Sequence, residues 1–200
     1  MAALPVVAAL GCGSKVMLPP RINLQQHEVL AIIEFSSSSE GELGPLATRE
    51  FIEAVRRDQG LIRIIQLGSE EEALSEVGSQ RLDPATCKAL GRAHDVKTIF
   101  LGELAVSDVR PAIRIAPDLR DLSFAADVDA TLAVQMVETA TGASIWSSSA
   151  SVTMRVGHVS ILGGRDVIFD ADDPERAYGD LIDALVELVT QDFRVTWERR

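Results

Sequence analysis

The stretch "ATLAVQMVETATGASIWSSSASVTMRV", residues 130–156, predicts two β-strands joined by a tight turn. Apolar and polar residues alternate on both sides of the turn, which is the period-two pattern of a strand with one buried face. The turn "TATG" ends on Gly142, and a glycine there supplies a positive backbone φ. We therefore predict an antiparallel hairpin in the second half of the chain.

The first half alternates strand and helix signals. Three apolar runs of strand length are present, namely "EVLAIIEF" (28–35), "LIRIIQL" (61–67) and "KTIFLGELAV" (97–106). A helix from Pro45 to about Asp58 separates the first two, and helices following Ser69 and Asp83 separate the second and third. Strands that alternate with helices share one sheet. Together with the hairpin, this order predicts a single α/β domain with a mixed sheet of about five strands and helices packed on it.

Further helix and loop signals complete the prediction. Asp83 followed by Pro84 marks a helix start, and that helix would bury its Cys87, Leu90 and Ala93. Residues 109–129 contain two prolines and scattered charges, so we expect a connector that enters a strand late. A last helix begins after Asp173, and its apolar stripe should lie across the sheet. That stripe comprises Leu181, Ile182, Leu185, Leu188, Val189 and Phe193.

Composition narrows the class of partner. The chain has 200 residues, 46% of them hydrophobic, which is enough for one domain with a substantial core. Its formal net charge of −11 gives no basic field to attract phosphate backbones, so nucleic acid is not an expected partner. The two cysteines, Cys12 and Cys87, suggest neither a disulfide framework nor a zinc site.

The amino-terminal stretch "AALPVVAALGCGSK" raises the question whether Cys12 carries a lipid. An apolar run followed by small residues is typical of a signal segment, although no basic residue precedes it. Residues 9–12 resemble a bacterial lipobox, with Leu10 one place later than usual. We expect residues 1–12 to be a signal and lipobox segment with lipidation at Cys12, residues 13–27 to be an exposed tether, and residues 28–200 to form the folded domain. The alternative is a buried free cysteine.

The histidines, Cys87 and a polar loop are candidates for catalysis or for binding of a metal or phosphate. The three histidines, His27, His94 and His158, lack the spacing of metal ligands. Cys87 and His94 lie two helical turns apart, roughly 10 Å, which is too far for a nucleophile and its base. The serine- and glycine-rich loop at 36–44 lacks the lysine of a phosphate loop.

Two acidic groupings remain. Asp127 and Asp129 would share one face of a strand, where they could form a paired-carboxylate site or simply a solvated surface. The cluster "DADDPE", residues 170–175, departs from the spacing of a calcium loop and reads as a helix-capping loop. The sequence therefore predicts a non-enzymatic binding or assembly module with no cofactor, no metal and no small-molecule substrate.

Three segments carry a resemblance to a known family. These are "EVLAIIEF" with its loop and helix, "CKALGRAHDVKTIFLGEL", and "VETATGASIWS", in which Thr141, Gly142 and Trp146 fit the family's hairpin. They resemble the CsgG-type curli assembly and transport components, related to the amino-terminal domain of TolB and to penicillin-binding-protein activator lipoproteins. The resemblance covers residues 28–193 and involves strand and turn signatures, with no catalytic residue.

The resemblance implies a lipid-anchored protein on the periplasmic face of the bacterial outer membrane. Its partners would be the membrane, through the anchor, and envelope proteins or further copies of itself. In the curli export channel, two inserted hairpins per subunit enter the membrane. The corresponding segments here are residues 110–126, interrupted by Pro111 and Pro117, and residues 156–169, which contain three glycines. We therefore expect a tethered periplasmic module, with a subunit of an oligomeric export channel as the alternative.

Overall fold

The computed structural model describes residues 15–38, 43–107, 110–115, 122–157, 159–160, 168–169 and 174–199. The helices are α1 (Leu43–Gln59), α2 (Glu70–Glu76), α3 (Pro84–His94) and α4 (Pro174–Val189). The strands are β1 (Lys15–Leu18), β2 (Val29–Ile32), β3 (Ser36–Ser37), β4 (Arg63–Gln66), β5 (Thr98–Val106), β6 (Arg110–Ile115), β7 (Leu122–Glu138), β8 (Ser144–Gly157), β9 (Val159–Ser160), β10 (Ile168–Phe169) and β11 (Thr196–Arg199). Short 3₁₀ turns cover Leu24–His27 and Gln191–Phe193.

The main sheet is mixed, as the sequence predicts. Its strands follow the order β4, β2, β5, β7, β8, with β2 parallel to both of its neighbours. β5, β7 and β8 are antiparallel, and the register places Leu104 opposite Leu132 and Met136 opposite Trp146. The short β3 continues the line of β2 and pairs in parallel with β5. The fold is thus a single α/β domain of the predicted class.

One face of the sheet is covered by α1 and α4. The buried residues of this layer include Leu30 and Ile32 of β2, Phe100 of β5 and Leu132 of β7. Phe51 of α1 contacts three other rings edge-to-face, and its ring centroid lies 5.3 Å from that of Phe35, 5.2 Å from Phe100 and 6.3 Å from Phe193. Such aromatic pairs add to the free energy of apolar burial. The main core therefore lies between the sheet and these two helices.

Helix α4 presents most of the predicted stripe to this core. Leu181, Ile182, Leu185 and Val189 are buried, but Leu188 is 41% exposed. Its place in the core is taken by Val186, which is 2% exposed. The prediction for Leu188 was wrong because, at 100° per residue, the buried stripe is centred on Leu185 and Val189, and Leu188 lies beyond its margin.

Among the described elements, α2 and α3 cover part of the opposite face of the sheet. Ala73, Cys87 and Leu90 pack there against Ile99 and other sheet residues. Both helix starts follow the predicted signals, since Ser69 and Glu72 form a capping box. Asp83 accepts hydrogen bonds from the N–H groups of the first turn of α3. Ala93, predicted to be buried, is exposed because the buried face of α3 is centred on Cys87, Leu90 and Gly91, and Ala93 lies well to one side of it.

The described parts of the segment expected to form a connector belong to two strands, β6 and the start of β7. β6 pairs with the first part of β7, and the register runs from Arg110 opposite Asp127 to Ile115 opposite Leu122. Pro111 lies within β6, where we expected proline to interrupt pairing. In the described residues β6 pairs along one edge only, so alternate backbone nitrogens face away from the ladder and a proline is tolerated.

The amino-terminal segment is attached to the domain. β1 pairs antiparallel with β11, and Leu24 is fully buried. Gln59, at the end of α1, is 5% exposed and its side chain bonds three backbone groups. It accepts from Leu24 N–H at 2.9 Å and donates to the carbonyl oxygens of Ile22 at 2.9 Å and Phe193 at 2.5 Å. Within the segment predicted to be an exposed tether, β1 is largely exposed but paired, and Leu24 is buried. The predicted division of the chain at residues 12 and 27 stays a prediction.

Candidate functional site

The predicted turn of the hairpin is a docking point for α3. Gly142 has φ +75°, and a Cβ at this position would lie 2.5 Å from Pro84 Cβ. Thr141 Oγ1 donates a hydrogen bond to Glu138 Oε2 at 2.7 Å and accepts one from Ala143 N–H at 3.1 Å. The two hydrogen bonds of Thr141 stabilise the turn, and the close approach of Gly142 to Pro84 packs the turn against the start of α3. They give Thr141 and Gly142 a structural explanation, and a family role for them stays a prediction.

Trp146 connects the hairpin to the carboxyl-terminal segment. The indole is 8% exposed, and its Nε1 donates to Asp192 Oδ2 at 3.2 Å. Its ring centroid lies 4.7 Å from that of Phe193 and 6.2 Å from that of Phe100. Trp146 is therefore a core residue and is not available for ligand stacking.

The predicted lipidation residue, Cys12, lies outside the described residues, as does His158. Cys87 is 2% exposed, and burial raises the pKa of its thiol. His94 Nε2 lies 2.9 Å from Glu76 Oε2, so this histidine has a partner other than Cys87. His27 is half-buried, and its pKa is lowered by desolvation and by Lys97.

The predicted carboxylate pair is only partly described. Asp129 Oδ1 accepts a hydrogen bond from Thr153 Oγ1 at 2.7 Å, across the β7–β8 pair. The Asp129 N–H donates to Ser107 Oγ at 3.1 Å. The side chain of Asp127 lies outside the description. Across the part of the chain that the structure describes, no group of three or more His, Cys, Asp or Glu residues could hold a metal ion.

The sheet face left open by α2 and α3 contains a groove of about 470 Å³. Its walls include the carboxylates Glu34, Glu70 and Glu103, together with Gln135 and the serines at 147–149. The strand residues beside it are small and polar, and Ser147, Ser149, Ser151 and Thr153 of β8 are all exposed. Apolar side chains, among them Ile33, Leu82 and Leu101, also line the groove, so its surface is mixed in polarity.

The long edge strand β8 borders this open face. Within the described ranges, β8 pairs with β7 alone, over Ser144–Gly157. Residues 144–154 of this strand contain no charged residue and no proline. The other side of β8 carries half-buried Ala150, Val152 and Met154, which pack against the core below α4. An unprotected edge of this kind can accept another strand, since its outward N–H and C=O groups need partners.

None of the helices that the structure describes is both long and apolar enough to cross a membrane.

Solved structures with detectable similarity are remote. They include the PelC dodecamer from Paraburkholderia phytofirmans, with 14% identity, 91% of this chain and 97% of that chain covered, and a TM-score of 0.45. Lipoprotein GNA1162 from Neisseria meningitidis shares 15% identity over 64% of this chain and 83% of its own, with a TM-score of 0.39. The LpoB C-terminal domain from Escherichia coli shares 16% identity over 64% and 84% respectively, with a TM-score of 0.41.

No family model matches this sequence, and no curated protein matches it either. The TM-scores of the solved structures are below 0.5, so this likeness assigns neither a family nor an activity to the chain.

Proposed function

We propose that this chain is a non-enzymatic, lipid-anchored envelope protein of the CsgG-resembling type, held at the periplasmic face of the bacterial outer membrane by Cys12. It binds another envelope protein, or a further copy of itself, by adding a strand to the edge of its sheet. The observation that carries the proposal is the edge strand β8, which is long, uncharged from residue 144 to 154, and paired on one side only among the described residues.

Two properties of β8 favour strand addition over other modes of binding. Its outward backbone groups offer main-chain hydrogen bonds without a dedicated pocket. Its two faces differ, since Ser147, Ser149 and Ser151 are exposed on one side while Ala150 and Val152 are half-buried on the other. An added strand with the same alternation would extend both the polar face and the apolar core. The opposite edge, β4, is only four residues long and begins with Arg63, so it offers much less.

The anchor is tested by the intact mass of protein purified from the membranes of a bacterial host, with any upstream start included. A mature species that begins at Cys12 and is heavier by acyl groups is the expected result. Replacement of Cys12 by Ser should release the protein from membranes that are washed with high salt. An unmodified chain that keeps Met1 would contradict the anchor.

The binding edge is tested by photo-crosslinking from position 147 of β8 in intact cells, with position 66 of β4 as the matched control. We expect protein adducts from position 147 only. The variants Ser149→Pro and Ala150→Pro provide the second arm, because alternate N–H groups of an edge strand point inward and outward. One of the two prolines removes only an outward donor, and that variant should fold normally and lose the adduct. Adducts that persist in both variants would rule out pairing through this edge.

A subunit of an oligomeric export channel is the second candidate, and one observation favours it. β6 with the start of β7, and β9 with β10, form antiparallel pairs in the two segments that would enter the membrane, residues 110–126 and 156–169. Extraction separates the candidates, since a tethered module becomes extractable without detergent once Cys12 is replaced by Ser. A channel subunit would stay in the membrane fraction.

A further inference from the structure

The paired strands β1 and β11 form a two-stranded ribbon with an unusual exposed face. The register places Met17 opposite Trp197 and Lys15 opposite Arg199. Residues that face each other in an antiparallel pair lie on the same side, and alternate residues along a strand share it. We call the side that carries Lys15, Met17 and Trp197 the ribbon face. Trp197 is 64% exposed and Met17 57% exposed, and neighbouring Val195 is 43% exposed.

The two sides of the ribbon carry charges of opposite sign, with Lys15 on the ribbon face and Glu198 on the other side. Glu198 alternates with Trp197 and so lies on the other side, opposite Val16. The ribbon face therefore combines large apolar side chains with Lys15, in a protein whose formal net charge is −11. Single exposed apolar residues are normal on a protein surface. A tryptophan, a second large apolar residue and a lysine on one face of an amphipathic element are instead the composition found at membrane interfaces.

The position of the ribbon in the chain identifies the occupant of this face. Lys15 follows Cys12 by three residues, which span at most roughly 10 Å when fully extended. With Cys12 acylated, as in the proposed function on which this step rests, the ribbon is the part of the domain held nearest to the bilayer. We propose that the ribbon face is a bilayer-contact surface for anionic lipid. It places Trp197 and Met17 at the headgroup level and orients the domain on the membrane.

A second copy of the chain is a weaker occupant. A stable protein interface buries about 800 Å² on each partner. The partly exposed side chains of Trp197, Met17 and Val195 offer far less area than this, since even a whole tryptophan buries at most roughly 250 Å². Contact with lipid needs no such area, because an apolar side chain at the headgroup level and a nearby lysine each add to binding on their own.

The test uses the full chain with Cys12→Ser, unacylated, and measures flotation with vesicles of phosphatidylethanolamine and phosphatidylglycerol. We expect salt-sensitive binding, weaker on phosphatidylcholine vesicles, with a blue shift of tryptophan emission. The shift reports Trp197, because Trp146 is already buried. Trp197→Ala should weaken partitioning roughly fivefold. Lys15→Glu should weaken it roughly thirtyfold, because it changes two charge units near the surface.

Ile65→Ala is the matched control, because Ile65 is 36% exposed on β4, which belongs neither to the ribbon nor to the binding edge β8. It should bind vesicles like the parent protein. Equal binding by Trp197→Ala and the parent, or no binding by the parent, would overturn the proposal. A dimer in light scattering that Trp197→Ala converts to a monomer would also overturn it, in favour of a second copy. The vesicle assay uses unacylated protein, so it does not depend on the anchor. If intact mass shows no lipid at Cys12, the proposed anchor is refuted, but the measured binding of the ribbon face to vesicles is unaffected.

Discussion

Replacing Gln59 by Leu should loosen both ends of the chain from the domain. Leucine keeps most of the side-chain volume and removes the amide that bonds the Leu24 N–H and the carbonyl groups of Ile22 and Phe193. These three groups belong to segments more than 30 residues distant from Gln59 in sequence, with separations of 35, 37 and 134 residues. The amide is therefore a single point at which the two terminal segments and α1 are joined.

The expected loss follows from the number of bonds and from their burial. A protein hydrogen bond contributes about 1 kcal/mol net, so three bonds correspond to about 3 kcal/mol in the free energy of unfolding. The loss could approach 5 kcal/mol, because the Leu24 N–H would be left buried without a partner. For a domain of this size, a loss of about 3 kcal/mol lowers Tm by about 6–12 °C.

Urea unfolding of the full chain with Cys12→Ser measures this loss. Gln66→Leu is the matched control, because Gln66 is exposed on β4 and the same substitution there should change the free energy of unfolding by less than about 0.5 kcal/mol. The reasoning is refuted if Gln59→Leu is as stable as the parent protein, or if both substitutions cause the same loss. Amide exchange at Leu24 should also rise strongly in Gln59→Leu alone.

Two further outcomes follow from the structure. Gly142→Ala should destabilise the fold by about 3 kcal/mol, because it combines a positive φ with contact against the start of α3, whereas Gly78→Ala should lose only about 1 kcal/mol. Gly78 has φ +65° and no atom within 4 Å of the added Cβ, so equal losses in chemical denaturation would contradict the steric explanation. With Cys12→Ser, Cys87 should react with a thiol reagent only as the protein unfolds, since burial raises its pKa; rapid labelling under native conditions would show that this helix face is open.

Local sequence signals predicted the helices and the hairpin well. The Asp83 cap and the residues after Ser69 act within one turn of a helix, and the sequence contains all the information that they need. Gly142 likewise marks its turn by its own backbone preference. These elements follow from contacts between near neighbours, which is why they could be read without a structure.

Long-range pairing could not be read in the same way. β1 and β11 lie at opposite ends of the chain, and four residues of mixed character give no strand signal until a partner satisfies their backbone groups. Gln59 resembles the polar end of a surface helix, and only the return of both terminal segments makes it a buried donor and acceptor. The candidate site was missed for a related reason. β8 was recognised as a strand, but whether a strand lies at an edge depends on the order of the whole sheet.

The geometry of the ribbon also has a mechanical consequence. β1 begins at the end nearest Cys12, and its Lys15 pairs with Arg199 at the far end of β11. A force applied at Cys12 would act on these residue pairs one after another, in an unzipping geometry. β1 would therefore separate from β11 at low force. Peeling residues 15–21 lengthens the connection by seven residues, roughly 25 Å. The load then reaches Ile22 and Leu24, which Gln59 holds. Residues 15–21 therefore form a short segment that extends under tension, and the extension ends at the residues that Gln59 holds.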